Sequence, residues 1–291
     1  GDLDLYVTNE NGEKENLYRN NGGGSFEKMT DLIITTDGFN TMSSSWGDID
    51  NDGDLDLFLA NDGSKNQLFR NEGNFVFTRM LTTDVSKVNA KSFSSAWADI
   101  DNDGDLDLFV TNAFQNGQRL KNNLYLNDGT GHLTEVTNEV VVMDEGWSYG
   151  CAFGDYDNDG FQDLAVATTR FGNVDEADYL YHNNGNSNHW LMVSLEGNVS
   201  NKSAIGAKIR VKAIVNGTAV WQMREISAQS AYCSQNDMRA HFGLADATLV
   251  DSMVIEWPSG IRQYRTGVLP NQIQDIEEDL VNAVREALPS F

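Results

Sequence analysis

The chain of 291 residues is poor in cysteine, proline and positive charge. It contains 2 Cys and 3 Pro, and its 20 Lys and Arg stand against 44 Asp and Glu, which gives a net charge of −24. Two cysteines cannot build a disulfide framework in a chain of this size. We expect Cys151 and Cys233 to be separate buried thiols, with a bond between them as the alternative. Nucleic acid is excluded as a partner, because no basic stripe is present to meet its phosphates.

Long apolar runs are also missing. None approaches the roughly 20 residues that a membrane-spanning helix needs, so no membrane span is expected. The N-terminal GDLDLYVTN begins in the middle of a repeat, and any signal peptide would precede it. Gly, Asn, Asp, Thr and aromatic residues outweigh the helix formers, a composition typical of an all-β protein with many turns.

Aspartate is concentrated in a motif that occurs three times. The copies read DIDNDGDLDLFL from Asp48, DIDNDGDLDLFV from Asp99 and DYDNDGFQDLAV from Asp155. Acidic residues occupy positions 1, 3, 5 and 9 and glycine occupies position 6, the spacing that wraps a short loop around a hard cation, with the backbone carbonyl of position 7 as a further ligand. The predicted ligands are Asp48, Asp50, Asp52, Asp54 and Asp56 in the first loop, Asp99, Asp101, Asp103, Asp105 and Asp107 in the second, and Asp155, Asp157, Asp159, Phe161 and Asp163 in the third.

Calcium is the ion that this spacing favours, because it accepts six to eight oxygen ligands in irregular geometry. An EF-hand would close with Glu at position 12 and lie between two helices. Position 12 is instead Leu59, Val110 and Val166, in short apolar runs typical of buried strands. The other alternative is a set of plain turns. Two carboxylates about 4 Å apart repel by roughly 4 kcal/mol at an effective dielectric near 20, so a turn without a cation would not hold four or five of them. We predict about three calcium ions, one per complete loop.

The acidity of the chain follows from the same motif. Asp2 and Asp4 belong to a fourth loop that has lost its first half, and no fourth ion is expected there. Sixteen of the 44 acidic residues then lie in these loops, and without them the net charge would be −8 instead of −24. A value of that size is ordinary for a soluble domain.

The loops are part of a longer repeat. Their glycines, Gly1, Gly53, Gly104 and Gly160, lie 52, 51 and 56 residues apart, and a second landmark keeps step as NLYRNNG, QLFRNEG, NLYLNDG and YLYHNNG. A third landmark, SSSWGD, SSAWAD or GCAFGD, places an aromatic residue on the strand that enters each complete loop: Trp46, Trp97 and Phe153. Four antiparallel strands in about 50 residues form a propeller blade, and a solenoid of stacked hairpins is the alternative.

These motifs resemble the FG-GAP/VCBS repeats of integrin α-chain propellers and of secreted bacterial proteins, over residues 1–187. The resemblance implies a β-propeller with one calcium ion at each set of ligands named above. After residue 187 the repeat stops, and NHWLMVSLEG, SNKSAIGAKIRV, HFGLADA and VIEWPSG resemble the ASPIC/UnbV domain, which we place at residues 188–270. This domain order is that of the cartilage acidic protein family. Within it, the alternation in KIRVKAIV predicts a strand with Ile209, Val211 and Ala213 on one face.

The C-terminal tail, residues 271–291, has a helical stripe. Ile273, Ile276, Leu280, Val284 and Leu288 are spaced by 3, 4, 4 and 4 residues. QIQDIEE could instead be a last strand, so we predict the helix only from about Ile276. The predicted fold class is therefore all-β: a partial FG-GAP/VCBS-type propeller, a C-terminal β-sandwich-like domain and a short C-terminal helix.

The number of blades leaves the propeller open. The sequence supplies the last three strands of one blade, two whole blades and a fourth whose outer strand is uncertain, whereas the resemblance implies six or seven blades. Unpaired edges favour association. The chain is a fragment of a longer protein, its edges are covered by a second copy, or a smaller propeller closes. Its start within a motif favours the fragment, with a possible homodimer through the open propeller edges.

No catalytic residue is predicted, and we expect no enzyme. None of the four histidines, His132, His182, His189 and His241, has a second His or Cys at zinc spacing. Nucleophile-elbow, phosphate-loop and dinucleotide motifs are missing from the sequence. We expect an extracellular, secreted or cell-surface calcium-binding module for adhesion or for a protein or glycan ligand, with calcium in a structural role. The alternatives are a lectin-like carbohydrate binder, with Trp147, Tyr149 and Trp221 as candidate sugar-stacking residues, and a propeller-type lyase or hydrolase fragment.

Overall fold

A computed structural model describes residues 3–87, 89–170 and 175–279. Over these ranges the regular secondary structure is almost entirely strand, which confirms the predicted all-β class. The exceptions are single 3-10 turns at Ile33–Thr35, Asp84–Lys87 and Val140–Val142. Within the same ranges no helix has the length and apolar character needed to cross a membrane.

The N-terminal part forms four blades, which we call A to D. Blade A comprises β1 (Leu5–Val7), β2 (Asn16–Asn20) and β3 (Phe26–Met29). Blade B comprises β4 (Thr41–Gly47), β5 (Asp56–Lys65), β6 (Gln67–Asn71) and β7 (Phe77–Arg79). Blade C comprises β8 (Asn89–Ala98), β9 (Asp107–Asn112), β12 (Asn123–Asn127) and β13 (Leu133–Val136). Blade D comprises β15 (Ser148–Gly154), β16 (Asp163–Thr168) and β17 (Tyr179–Tyr181). A small separate sheet holds β10 (Phe114–Gln115), β11 (Gln118–Lys121) and β14 (Glu145–Gly146).

Neighbouring blades pack through rows of large side chains. Trp97, Leu108 and Tyr125 stand side by side across β8, β9 and β12, and they pack against Phe58 and Leu68 of blade B. The ring of Trp97 meets that of Phe58 edge-on, with 6.4 Å between centroids. Each such side chain contributes about 1.5–3 kcal/mol when it is fully buried. The predicted role of the aromatic residue on each innermost strand is confirmed.

The C-terminal domain is a sandwich of two sheets. Its strands are β18 (His189–Glu196), β19 (Lys208–Val215), β20 (Thr218–Glu225), β21 (Ala240–Ala245), β22 (Val250–Glu256), β23 (Arg262–Val268) and β24 (Gln272–Glu277). One sheet has the order β21-β18-β24 and the other β20-β19-β22-β23. Their facing sides share one core, in which Ile209, Val211 and Ala213 of β19 are buried with Phe242 and Trp257. The predicted alternation in KIRVKAIV is confirmed.

Two predictions for the tail need correction. Ile276 and Glu277 belong to β24, which pairs in parallel with β18, so a helix beginning at about Ile276 is wrong for these two residues. Pairing with β18 satisfies the backbone of this segment, and the strand interpretation of QIQDIEE holds. The domain boundary at residue 270 lies too early for the same reason. Residues 280–291, with the remainder of the helical stripe, lie outside the described residues.

The segment 227–239, between β20 and β21, lies against the innermost strands of the propeller. The backbone N–H of Asp237 donates to the carbonyl of Phe153 (2.9 Å), and Phe153 N–H donates to Asn236 Oδ1 (2.9 Å). Asn236 Nδ2 also donates to the carbonyl of Trp97 (3.1 Å). This segment therefore satisfies part of the edge that β15 and β8 would otherwise leave unpaired.

The two cysteines are free thiols, as expected. Cys151 is buried on β15, but Cys233 is exposed. The prediction of two buried thiols is wrong for Cys233, because it lies in a turn of the 227–239 segment with a φ of 51°.

Candidate metal centre

Each Asp-rich loop joins the innermost strand of a blade to its second strand. Loop B is residues 48–56, between β4 and β5. Loop C is residues 99–107, between β8 and β9, and loop D is residues 155–163, between β15 and β16. Strands flank all three loops, so the EF-hand alternative is wrong.

Three carboxylates converge in each loop, from positions 1, 3 and 9. One oxygen from each lies within 4.8 Å of the others in three clusters: Asp48, Asp50 and Asp56; Asp99, Asp101 and Asp107; and Asp155, Asp157 and Asp163. Positions 1 and 9 are buried in every loop, and position 3 is half-buried in loops B and C and exposed in loop D. The structure thus brings together nine of the fifteen predicted ligands.

The position-1 carboxylate holds the turn of the loop. Asp99 Oδ2 accepts the N–H of Gly104 (3.0 Å), and Asp48 and Asp155 make the same bond to Gly53 and Gly160. Gly53, Gly104 and Gly160 have φ values of 93°, 105° and 92°, which residues with a Cβ rarely adopt. Glycine at position 6 is therefore required by the turn.

The position-9 carboxylate is clamped from two sides. In loop B, Asp56 Oδ2 accepts the N–H of Ile49 (2.9 Å), and Asp56 Oδ1 accepts the N–H of Asn71 (2.7 Å). Asp107 and Asp163 are held in the same way, through Asn127 and Asn183 respectively. These asparagines were not among the predicted site residues. The signal for them was present, because each occupies the fifth position of the repeated motif in QLFRNEG, NLYLNDG and YLYHNNG.

Positions 5 and 7 lie beside the three-carboxylate clusters. Asp52 Oδ1 accepts the N–H of Asp54 (2.9 Å), and the same bond joins Asp103 to Asp105 (3.0 Å) and Asp159 to Phe161 (3.0 Å). The position-5 carboxylates therefore shape the second half of each loop. For position 7 only the backbone carbonyl was predicted as a ligand, and that role stays a prediction.

Burial and mutual repulsion disfavour the charged form of these carboxylates. Desolvation and, to a smaller extent, the neighbouring carboxylates together raise the pKa of Asp48 to about 6 and the pKa of Asp56 to about 8, although backbone hydrogen bonds act to lower both. In loop C, desolvation first and then Asp103 and Asp101 raise the pKa of Asp99 to about 8, against the attraction of Arg224. The pKa of Asp107 is also raised well above its usual range by burial. A bound cation would reverse this balance.

The donor set fits a hard divalent cation. Asp48 Oδ1 and Asp50 Oδ1 are buried and accept no hydrogen bond from any described residue. A buried charged oxygen without a partner costs several kcal/mol. Oxygen donors alone, with no thiolate or imidazole among positions 1, 3 and 9, suit calcium, magnesium or manganese better than zinc.

Comparison with protein families identifies the repeat. The model of the FG-GAP-like repeat matches residues 1–59, 48–110 and 113–166, which together are more than half of the chain. The chain belongs to the FG-GAP-like repeat family. A second model, ASPIC and UnbV, matches residues 197–282. Both predicted resemblances are confirmed.

Two curated relatives are similar to parts of this chain. Cartilage acidic protein 1 of Xenopus tropicalis is 25% identical over 264 residues, which are 88% of this chain and 40% of the relative. Integrin alpha-4 of Xenopus laevis is 34% identical over 94 residues, which are 29% of this chain and 9% of the integrin. The chain therefore spans less than half of the length of either relative.

The ASPIC and UnbV domain docks on the loops of the FG-GAP-like blades. In loop C, Asp99 Oδ2 accepts the N–H of Gly243 (3.0 Å), and the carbonyl of Asn102 accepts the N–H of Ala245 (2.8 Å). In loop D, His241 Nε2 lies 3.1 Å from the carbonyl of Gly160. A Cβ at Gly243 would collide with Asp99 and Asn102. Strand β21 is thus fitted to two of the metal loops.

Arg224 of β20 places a positive charge close to loops B and C. Its Nε donates to the carbonyl of His241 (3.1 Å). Burial lowers the pKa of Arg224, and the carboxylates of Asp99 and Asp48 oppose that shift. Arg224 is therefore a half-buried counter-charge supplied to loops B and C by the second domain.

The histidines have structural surroundings. His189 Nδ1 lies 2.7 Å from the carbonyl of Ala247, and His241 is buried against loop D, so both are hydrogen-bonded. His132 is exposed. His182 is exposed, and its Nε2 lies 3.0 Å from Asp157 Oδ2.

The three aromatic residues proposed for sugar stacking differ in exposure. Trp147 is buried and stacks on Phe114 with 4.8 Å between centroids, so it cannot be a surface platform. Tyr149 and Trp221 are half-buried. Tyr149 lies against Phe93, and Lys212 approaches the ring of Trp221.

Proposed function

We propose that the chain is an extracellular calcium-binding module for adhesion or ligand binding, in which calcium has a structural role. The observation that carries the proposal is the same convergence of positions 1, 3 and 9 in three successive blades, with positions 1 and 9 buried each time. In loop B this arrangement includes two unpartnered carboxylate oxygens. Membership of a repeat family shared with an integrin chain supports an extracellular adhesion role.

Calcium would tie the first two strands of blades B, C and D together. With an extracellular-type affinity of around 10⁻⁴ M and calcium near 1 mM, each site stabilises the folded state by roughly 1.4 kcal/mol, and three sites by about 4 kcal/mol. That is a large part of a typical stability of 5–15 kcal/mol. Cytosolic calcium is too dilute to fill such sites, which favours an extracellular location.

Calorimetric titration of the calcium-free full chain tests the metal site. We expect about three calcium ions per chain and a much weaker response to magnesium, which prefers a tighter octahedron. Asp50→Asn, Asp101→Asn and Asp157→Asn should each remove one ion. A stoichiometry unchanged in all three variants would refute the assignment of the loops.

A cavity of about 1160 Å³ between the blades and the second domain is the candidate ligand site. It is lined by Tyr6, Trp46 and Phe77 on one side and by Arg224 and Tyr232 on the other. The rings of Tyr6 and Trp46 meet edge-on at 5.7 Å. Trp97 and the polar side chain of Gln229 also belong to this lining. A polar donor beside aromatic rings suits a ligand with both apolar and polar groups.

A lectin-like function is the second candidate, and the same aromatic lining favours it. Glycan arrays probed with and without chelator test it, and Trp46→Ala should abolish any signal found. We propose no catalytic role, because the buried carboxylates are committed to the metal loops and cannot also serve as acid and base.

A further inference from the structure

The metal loops of neighbouring blades are joined by the asparagine at position 4. Asn51 Nδ2 of loop B donates to Asp105 Oδ1 of loop C (2.9 Å) and lies 3.4 Å from the carbonyl of Gly104. Asn102 Nδ2 of loop C donates to the carbonyl of Gly160 in loop D (3.1 Å). The contact thus runs in the same direction in both pairs of loops.

A second set of bonds runs back to the preceding loop. Asn127, whose N–H clamps Asp107 of loop C, donates through Nδ2 to the carbonyl of Ile49 in loop B (2.7 Å). Asn183, which clamps Asp163 of loop D, donates in the same way to Ile100 in loop C (2.7 Å). Each neighbouring pair of loops therefore shares one forward and one backward contact.

Loop D ends this series and provides a contrast. Its position-4 residue, Asn158, has the same left-handed backbone as its counterparts, with φ of 62° against 57° for Asn51 and 58° for Asn102. Instead of reaching another metal loop, Asn158 Oδ1 accepts a hydrogen bond from Arg239 Nη1 (2.6 Å). The same sequence position thus performs two different tasks.

We propose that Asn51 and Asn102 are positioning residues that make calcium binding to loops B, C and D cooperative. This inference rests on the proposed calcium function. An ion in loop C fixes Asp105 and Gly104, and these hold the Asn51 side chain that belongs to the turn of loop B. Part of the ordering that loop B needs is then complete before its own ion arrives, which is a coupling between sites.

The test is calcium titration of the full chain with loop C silenced by Asp101→Asn. In the parent background, silencing should weaken calcium binding to loops B and D at least about fivefold, the lower end of typical couplings. In the Asn51→Gly, Asn102→Gly background, silencing should leave the other two affinities within about twofold. Glycine is the appropriate replacement because it accepts a positive φ without strain.

Asn158→Gly is the matched control, since it removes the same side chain from the same loop position without touching a link between loops. It should retain the fivefold effect of silencing. The proposal is overturned if silencing loop C leaves loops B and D unchanged in the parent, if the Asn51→Gly, Asn102→Gly variant keeps the fivefold effect, or if Asn158→Gly loses it as fully as that double variant. Absence of calcium binding in the parent would instead refute the proposed function. Circular dichroism of each variant in EDTA verifies that it is folded.

Discussion

Replacing Asp50 by Asn separates a metal ligand from a structural aspartate. Asp50 Oδ1 is buried and has no hydrogen-bond partner among the described residues, so Asn breaks no bond made by that atom. Oxygens of Asp50, Asp48 and Asp56 lie within 4.8 Å of one another. At an effective dielectric near 20, each ionised pair at this distance repels by about 3 kcal/mol.

The expected result has two parts that move in opposite directions. At pH 8 Asp48, with its pKa raised by burial to about 6, is ionised in the calcium-free protein. Removing the charge of Asp50 should therefore stabilise the protein in EDTA by about 1 kcal/mol or more, a rise in Tm of at least roughly 2 °C. The additional stability gained from 1 mM calcium should fall by roughly 1.4 kcal/mol, because one site of three is lost.

Thermal unfolding at pH 8, in EDTA and in calcium, measures both parts. Asp251→Asn is the control, since Asp251 is an exposed aspartate on β22 of the other domain. It should change neither value by more than about 0.5 kcal/mol. If Asp50→Asn lowers the Tm in EDTA, or leaves the calcium response intact, the carboxylates do not form the repulsive metal-binding cluster argued here.

Three further predictions concern domain docking, stability at acid pH and association. Gly243→Ala should loosen the docked domains, because its Cβ would collide with Asp99 and Asn102; faster limited proteolysis between the domains checks this, and an unchanged rate would contradict it. Burial acts to raise the pKa of Glu278, but hydrogen bonds from Ser259 and from the backbone of residues 198–200 outweigh it and lower the pKa to about 2. This depressed pKa contributes stability that is present above about pH 4.5 and is lost as pH falls towards 2. In Glu278→Gln the free energy of unfolding should therefore decrease less as the pH falls from about 4.5 towards 2. An unchanged dependence of this free energy on pH would exclude a stabilising role for the Glu278 carboxylate. Leu180 of β17 is 65% exposed on the open blade D, so light scattering should find a dimer that Leu180→Asp weakens; a monomeric parent would argue against association through this edge.

The local features of the metal loops could be predicted from sequence because backbone spacing fixes them. The spacing of Asp and Gly placed positions 1, 3 and 9 around one point, and the apolar runs after Asp56, Asp107 and Asp163 gave the strands that follow. The aromatic residue before each loop likewise marked the innermost strand. In these cases the interacting atoms are separated by fewer than ten residues, so a one-dimensional pattern contains the information.

Features that depend on distant residues were missed. The clamp from Asn71 to Asp56 spans a hairpin, and the contact from Asn51 to Asp105 spans two blades. A repeating Asn-Gly pattern is interpreted first as a turn, because Asn and Gly are most often found in turns. The last strand was misjudged in part because the helical spacing of Ile273 and Ile276 is too short to be decisive, while its pairing partner β18 lies some 80 residues earlier.

Docking of the second domain and occupancy of the metal loops are physically connected. Strand β21 covers loop C, where Asp99 is 1% exposed, and removal of a carboxylate from water costs several kcal/mol unless a positive charge compensates. Arg224 supplies a single charge, while loops B and C together hold ten aspartates. A divalent ion in each loop would offset four more of these negative charges, so calcium should favour docking. By reciprocity, docking should raise calcium affinity by the same factor. Gly243→Ala should then weaken calcium binding at loop C although it changes no metal ligand.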